Sequence, residues 1–312
     1  MTLLVGGYQG PPVLTVSSAL TSWTFDVSAF VLVVLSGWAY RGGVRRLRAR
    51  GERWPAARTV WFCLGLVAFV LTTMSFLGAY AHTLFWVTSA QMALLLTVVP
   101  VLIVLGGPVS LLTRAAPRWE PRVERFLAGR VVRFLSFPII ASLLVALMPF
   151  VVYYTPWFET TLRYLPMYWL LHVVLLAVGL LFFWPVISLD REPRVHYVAL
   201  TVIVLAETLF DAVPGIALWL GKTLIAPDYY REVARPWGRS LLSDQQFGGV
   251  VLWAIGELVG LPLLALVVVQ WMRSDAREAA RIDRELDLAD AAREAAAADE
   301  ERYQGMDRNG EE

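Results

Sequence analysis

Residues 84–108 read LFWVTSAQMALLLTVVPVLIVLGGP, and between Leu84 and Leu105 this stretch places 22 residues in a row without Asp, Glu, Lys, Arg or His. At about 1.5 Å per residue such a run crosses a hydrocarbon core of roughly 30 Å, and in lipid a helix satisfies all its backbone groups within one segment. The stretch therefore reads as a membrane-spanning helix. Scanning outward finds six more apolar runs: Trp23–Tyr40, Thr59–Ala79, Pro138–Tyr154, Met167–Ile187, Tyr197–Leu220 and Phe247–Met272. The fourth is short and contains Pro149. The expected fold is all-α, a seven-helix transmembrane bundle with a cytoplasmic charged C-terminal helix.

Composition supports this reading. Of 312 residues, 57% are apolar and 17% charged, with a mean hydropathy of +0.58. A soluble chain carries closer to a quarter charged residues, so a water-facing surface cannot be covered. The net charge of +1 conceals a division at Met272: Arg273 to Glu312 hold 7 basic and 13 acidic side chains, leaving 20 and 13 for the rest. Three sections follow: an extracytoplasmic segment (1–22), a basic membrane domain (23–272) and an acidic helical tail (273–312). This charge distribution argues against nucleic acid as a partner. The first 23 residues contain no Lys or Arg and no apolar run of signal-peptide length, so the first span is expected to direct insertion itself. The lone cysteine, Cys63, cannot form an intramolecular disulfide.

Arginine sets the orientation, because short basic loops stay in the cytoplasm. Arg41, Arg45, Arg46, Arg48, Arg50, Arg53 and Arg58 follow span one, six arginines from Arg114 to Arg133 follow span three, and Arg191 and Arg194 follow span five. The alternate loops are poorer, apart from Gly221–Gln246 with Lys222, Arg231, Arg235 and Arg239. The expectation is N-terminus outside and C-terminus cytoplasmic, in a bacterial cell membrane. Trp119, Val123, Phe126, Leu127, Phe134 and Leu135 recur near helical spacing among arginines, which fits either a helix on the anionic inner leaflet or a basic topology-setting loop. The tail is rich in Ala, Glu and Arg with many i,i+4 opposite charges, and its apolar seam is thin; it reads as a solvated helix.

Ionisable groups inside spans are costly and point to function. His172 lies near the outer end of span five, and His82 at the outer mouth of span two. Gln91 and Met92 lie two turns into span three, and Met74 and Met148 approach the outer ends of spans two and four. Asp244, Gln245 and Gln246 sit where span seven enters. Glu207 and Asp211 are one turn apart on span six, and Glu257 is near the middle of span seven. Imidazole with thioether is the soft, low-coordinate donor set that selects Cu(I); a buried, hydrogen-bonded His172 and gap-filling methionines are the structural alternative. Glu207 with Asp211 fits a shared proton or a pair of interhelical hydrogen bonds, and Pro214–Gly215 beside them fits a broken helix lining a cavity. No phosphate loop, His-Glu-x-x-His pair or nucleophile elbow occurs, so no enzymatic activity is expected.

Three stretches, Leu84–Pro108, LHVVLLAVGLLFFWPVISLD (171–190) and YYREVARPWGRSLLSDQQFGGVVLWAIGELVGLPLLALVVVQWM (229–272), together with the WTFD start of span one, resemble the polytopic cytochrome c oxidase assembly factors of the CtaG type. The resemblance covers nearly all of Trp23–Met272 and is carried by His-x6-Gly-x2-Phe-Phe-Trp-Pro and Asp-Gln-Gln-x-Gly-Gly in combination. It implies a seven-helix, non-enzymatic factor needed for active haem-copper oxidase, handling copper for it, with oxidase subunits and the lipid bilayer as partners. Where that family typically has a His-Met-Val-Gln-His-like run, this chain has Thr88, Ser89, Ala90, Gln91 and Met92, so both histidines are replaced. Asp211 stands near where the family's span six carries a histidine. His172, Asp244, Gln245 and Gln246 are retained.

The leading expectation is an oxidase assembly factor whose copper ligands are His172 with Met92, joined by Met74, Met148 or His82. Gln91, Asp244, Gln245 and Gln246 would orient ligands or the partner. Two alternatives stand beside it: a proton- or small-solute-coupled transporter using Glu207, Asp211 and Glu257, and a metal-free assembly scaffold acting through its spans and tail.

Overall fold

The computed structural model describes residues 8, 10–187 and 197–309; Arg191 and Arg194, expected in the loop after span five, lie outside them. Among the described residues there is no strand. In chain order the helices are α1 (Val16–Thr21), α2 (Val27–Ala49), α3 (Ala56–Met74), α4 (Phe76–Tyr80), α5 (Phe85–Ala93), α6 (Val99–Leu105), α7 (Pro108–Ala115), α8 (Glu120–Ala128), α9 (Arg130–Leu135), α10 (Pro138–Tyr153), α11 (Trp157–Arg163), α12 (Leu165–Ile187), α13 (Tyr197–Leu220), α14 (Pro227–Val233) and α15 (Leu241–Asn309). Among the described residues, six segments are long and apolar enough to cross a membrane: Val27–Ala49, Ala56–Tyr80, Phe85–Ala115, Leu165–Ile187, Val198–Leu220 and Leu241–Leu288. The pair α10 and α11, bent by 66°, is the seventh when counted as one span. The chain divides into two compact units, Met1–Leu264 and Ala265–Glu312.

Side chains set the helix ends. Asp26 caps α2, its Oδ1 accepting from the Ala29 amide at 3.0 Å and the Ser28 hydroxyl at 2.6 Å, which satisfies amides that have no partner in a first turn. The far end differs from the sequence reading, because α2 continues to Ala49. Arg41, Arg45, Arg46 and Arg48, expected in a loop, are helical, and the last turn carries Arg46 and Arg48, where the helix dipole favours cations. The arginine-rich end is closed by Tyr40: its hydroxyl donates to the Gly106 carbonyl at 2.8 Å and accepts from Trp54 Nε1 at 3.0 Å. Its ring stacks on Phe62 with centroids 3.9 Å apart. These contacts tie α2, α3 and the end of α6 around a core of Val44, Leu47, Leu111 and Ala115.

Span three is not a uniform helix. Leu94–Val98 form a π-helical turn between α5 and α6, and Pro100 just beyond it supplies no amide. Gly179 of α12 lies directly against the Leu96 carbonyl and the Pro100 ring. With no driving force from water inside a bilayer, such close backbone approach through small residues is what holds helices together. The same device joins α13 to the start of α15, where Gly215 packs on the Gly249 carbonyl and Gly260 on Thr208. Here the structure corrects the sequence reading. Span six is continuous from Tyr197 to Leu220 with Pro214 inside it, and Gly215 serves packing rather than a break.

The basic segment after span three is helical, as α8 and α9 separated at Gly129. Phe126 and Phe134 are 68% and 61% exposed, which is the apolar face an interfacial helix presents to lipid. In the Ala265–Glu312 unit, helix runs to Asn309, with Arg281 paired to Glu278 at 2.6 Å and Glu285 at 3.8 Å.

The glycine contact gives a direct stability prediction. Gly179→Leu lowers the thermal midpoint of the purified protein by the equivalent of about 1–3 kcal/mol, the cost of overpacking. Gly42→Leu, where nothing lies within 4 Å of the new Cβ, leaves it unchanged. Equal midpoints for the two variants in a detergent melting assay would refute the close approach of α12 to span three.

Candidate functional site

Tyr168 is the organising side chain at the arginine-poor ends of the helices. It lies one turn before His172 on α12, so the two share a face, and their ring centroids are 4.1 Å apart. The His82 ring, from the turn between α4 and α5, meets the same tyrosine at 4.8 Å, edge to face. The Tyr168 hydroxyl donates to Gln91 Oε1 at 2.9 Å, and Gln91 Nε2 donates to the Thr72 carbonyl at 2.8 Å. The α4–α5 turn and α5 thus meet α12 at one phenol, and Gln91 links it on to α3. Gln91, His172 and Tyr168 are buried at 2%, 6% and 7% exposure.

His82 Nδ1 is buried without a hydrogen-bond partner, and the Tyr229 hydroxyl holds its backbone carbonyl at 2.9 Å. Burial pushes the His82 imidazole below its ordinary pKa, which keeps it neutral, the form that ligates metals. Asp26 lies close enough to act electrostatically on both Tyr168 and His172. Met74 joins this neighbourhood through its backbone, its carbonyl accepting from the Thr24 amide at 2.9 Å, two residues before Asp26.

Met92 belongs to another face. It follows Gln91 by about 100° of helical turn, on the side of α5 that carries Phe85 and Ser89. Those two meet Tyr153 of α10: the ring centroids of Phe85 and Tyr153 are 5.2 Å apart, and the Tyr153 hydroxyl donates to Ser89 Oγ at 2.9 Å. Met148 is buried on α10. Thr88 spends its hydroxyl on the Ala81 carbonyl at 2.6 Å. Among the described residues no group of three or more His, Cys, Asp and Glu side chains is arranged to hold a metal ion.

Asp244, Gln245 and Gln246, expected to orient ligands, are occupied with the scaffold. Asp244 Oδ2 accepts from the Phe85 amide, the first of α5, at 2.8 Å, and lies 3.5 Å from Arg235 Nη2, with both side chains at most 3% exposed. Gln245 bridges the Ile225 amide and the Thr223 carbonyl, at 2.8 and 2.9 Å, and Gln246 donates to the Gly221 carbonyl at 3.2 Å. Across the same surface Arg163 clamps Glu232 with two hydrogen bonds, at 2.7 and 3.1 Å, and holds that carboxyl below its ordinary pKa.

Glu207, Asp211 and Glu257 form a separate group between α13 and the start of α15. Glu207 is 4% exposed and feels both other carboxylates. Asp211 Oδ2 rests against Gly256, where a Cβ would collide with it, and Glu257 accepts from Trp253 Nε1 at 3.1 Å.

Sequence reasoning missed Asp26, Tyr168 and Arg235. Tyr168 was accessible through its i,i+4 relation to His172, and Asp26 through its position before an apolar run, an N-cap signal. Arg235 gave no local signal, because its partner is reached only in the folded chain.

The Asp244 anchor makes its own prediction. Asp244→Ala leaves Arg235 buried without its carboxylate and Phe85 without an acceptor, costing about 3–5 kcal/mol. The loss is read as a lower melting midpoint in detergent and faster proteolysis of the 221–240 loop. An unchanged midpoint rules the anchor out.

Comparison with known proteins points the same way. Residues 38–274 match the family described as cytochrome c oxidase caa3 assembly factor. Uncharacterised proteins of Mycobacterium bovis and Mycobacterium tuberculosis are each 36% identical over 290 residues, and one of Mycobacterium leprae is 34% identical over 290 residues. Each match covers 90% of this chain and 44% of the relative, so the chain spans less than half the length of these relatives. No solved structure matches. A multi-span helical chain matched from residue 38 to residue 274, this protein belongs to the cytochrome c oxidase caa3 assembly factor family.

Proposed function

We propose that the protein takes part in oxidase assembly by carrying Cu(I) as cargo on His82 and His172 and passing it to an oxidase subunit, without catalysing a reaction. The observation that supports this most is the convergence of the two imidazoles on Tyr168, one of them with a buried, unpartnered nitrogen. Two neutral imidazoles suit the low coordination number of Cu(I), and a thioether completes a soft donor set. Met74 is the thioether donor of choice, since Met92 lies on the α10 side of α5, and His82 replaces Met92 as the first partner of His172. Gln91 acts through Tyr168: its hydrogen bond fixes the phenol against which both imidazoles pack.

The distribution of arginine supports delivery at the outer surface. With the arginine-rich ends of α2, α7, α8 and α9 in the cytoplasm, the imidazole pair faces outward and the charged C-terminal helix lies inside.

Purified protein titrated with Cu(I) in the presence of a competing chelator is expected to hold one copper per chain. His82→Ala with His172→Ala abolishes it, and Gln91→Leu weakens it about 10–100-fold, the usual cost of losing an orienting contact. In cells, deleting the gene lowers oxidase activity and oxidase copper, and the double-alanine allele fails to restore them. Full oxidase activity in the deletion strain contradicts the assembly role. Normal rescue by the double variant contradicts the copper site alone and leaves the metal-free scaffold reading in place.

A second reading rests on Glu207, Asp211 and Glu257. Three carboxylates gathered between two helices at membrane depth are what a proton-coupled transporter uses. Proton uptake into proteoliposomes that disappears in Glu207→Gln would favour it; its absence together with bound copper favours the cargo reading.

A further inference from the structure

We infer that the arginine-rich end of the bundle carries a binding site for one anionic phospholipid drawn from the adjoining leaflet. A cleft of about 650 Å³ opens there between α6, α7, α8, α9 and α12. That volume falls within the range of about 300–1,000 Å³ of sites built to hold a ligand. Its walls are largely apolar, lined by Ile103, Ala177, Leu180 and Leu181 together with Leu127 of α8. A second cleft of about 400 Å³ adjoins it and shares Ile103, Pro108 and Leu180. Together they offer room for two hydrocarbon chains.

The head end is polar and basic. Arg58 and Arg114 both line the larger cleft, and Arg46 lines the smaller one. The first two are held in place by the Trp54 ring, with guanidinium carbons 5.1 and 5.7 Å from its centroid. Arg58 also lies over Gly107, whose αL backbone starts α7: a Cβ there would sit 3.2 Å from Arg58 Nη1. Ser110 and Thr113 of α7 line the same wall, the Thr113 hydroxyl donating to the Val109 and Ser110 carbonyls of its own helix. Arg114 also pairs with Glu52 at 3.0 Å, which fixes it at the mouth of the cleft and offsets part of its charge.

Charge complementarity selects the occupant. A zwitterionic lipid, whose phosphate is offset by its own cation, gains less from arginines stacked at the mouth of an apolar cleft than a lipid of net negative charge. The amphipathic α8–α9 pair, with Phe126 and Phe134 exposed, brings the mouth to headgroup depth, where a lipid enters without leaving the bilayer. The site lies at the opposite end of the helices from the imidazole pair and does not depend on the copper reading.

The test uses the full chain, stripped of lipid in detergent and offered phosphatidylglycerol or phosphatidylcholine at equal concentration, with bound lipid read by native mass spectrometry. The expected result is one retained phosphatidylglycerol and no retained phosphatidylcholine at matched activation energy. Ala177→Trp fills the cleft from an exposed position and abolishes retention. Arg58→Gln lowers the preference for phosphatidylglycerol about fivefold, the factor one basic side chain contributes at an anionic surface. Val31→Trp, on the lipid-exposed face of α2, changes neither and controls for surface tryptophan. Equal retention of the two lipids, or phosphatidylglycerol retained undiminished in Ala177→Trp, overturns the proposal.

Discussion

A buried carboxylate holds the arginine-poor end of this molecule together. Asp244 caps the amide of Phe85 and neutralises Arg235, which joins the start of α5, the loop before α15 and the first turn of α15 in one contact. A carboxylate this deeply buried is expensive unless it is paired and hydrogen-bonded, and here it is both. Its effect reaches beyond stability. Fixing the first turn of α5 sets the rotation of that helix, and the rotation decides that Gln91 faces Tyr168 while Ser89 and Phe85 face α10.

Within the helices, packing follows the logic of a lipid environment. Glycines permit backbone contact where water would otherwise supply no drive to associate: Gly179 on span three, and Gly215 with Gly249 between the last two spans. Polar groups divide into three sets with different surroundings. Imidazoles and an amide gather around a tyrosine near one end, three carboxylates sit between α13 and the start of α15, and arginines stacked on tryptophan frame an apolar cleft at the other end. Each set has its own chemistry.

Much of the fold was legible in the sequence because hydrophobic length is a one-dimensional signal. The seven apolar runs correspond to six long helices and one pair bent by 66° after Tyr153. What the sequence concealed was local or long-range. The π turn at Leu94–Val98 leaves no compositional mark, and Pro214 reads as a break although its helix continues through it. The Asp-Gln-Gln side chains reach backbone groups 20 to 159 residues away, a pairing no periodicity encodes. The candidate site was legible in part. His172, His82 and Gln91 were identified by rarity, whereas Tyr168, a common aromatic type in membrane proteins, drew no attention although it brings the others together.

X-ray absorption at the copper edge of the Cu(I)-loaded protein reads the metal's donor atoms without reference to activity. A two- or three-coordinate Cu(I) centre with imidazole scattering from two histidines is expected, and that signature is lost when His82 and His172 are both replaced by alanine. A sulfur-only coordination sphere, or an unchanged spectrum in the double variant, is incompatible with copper carried on the imidazole pair.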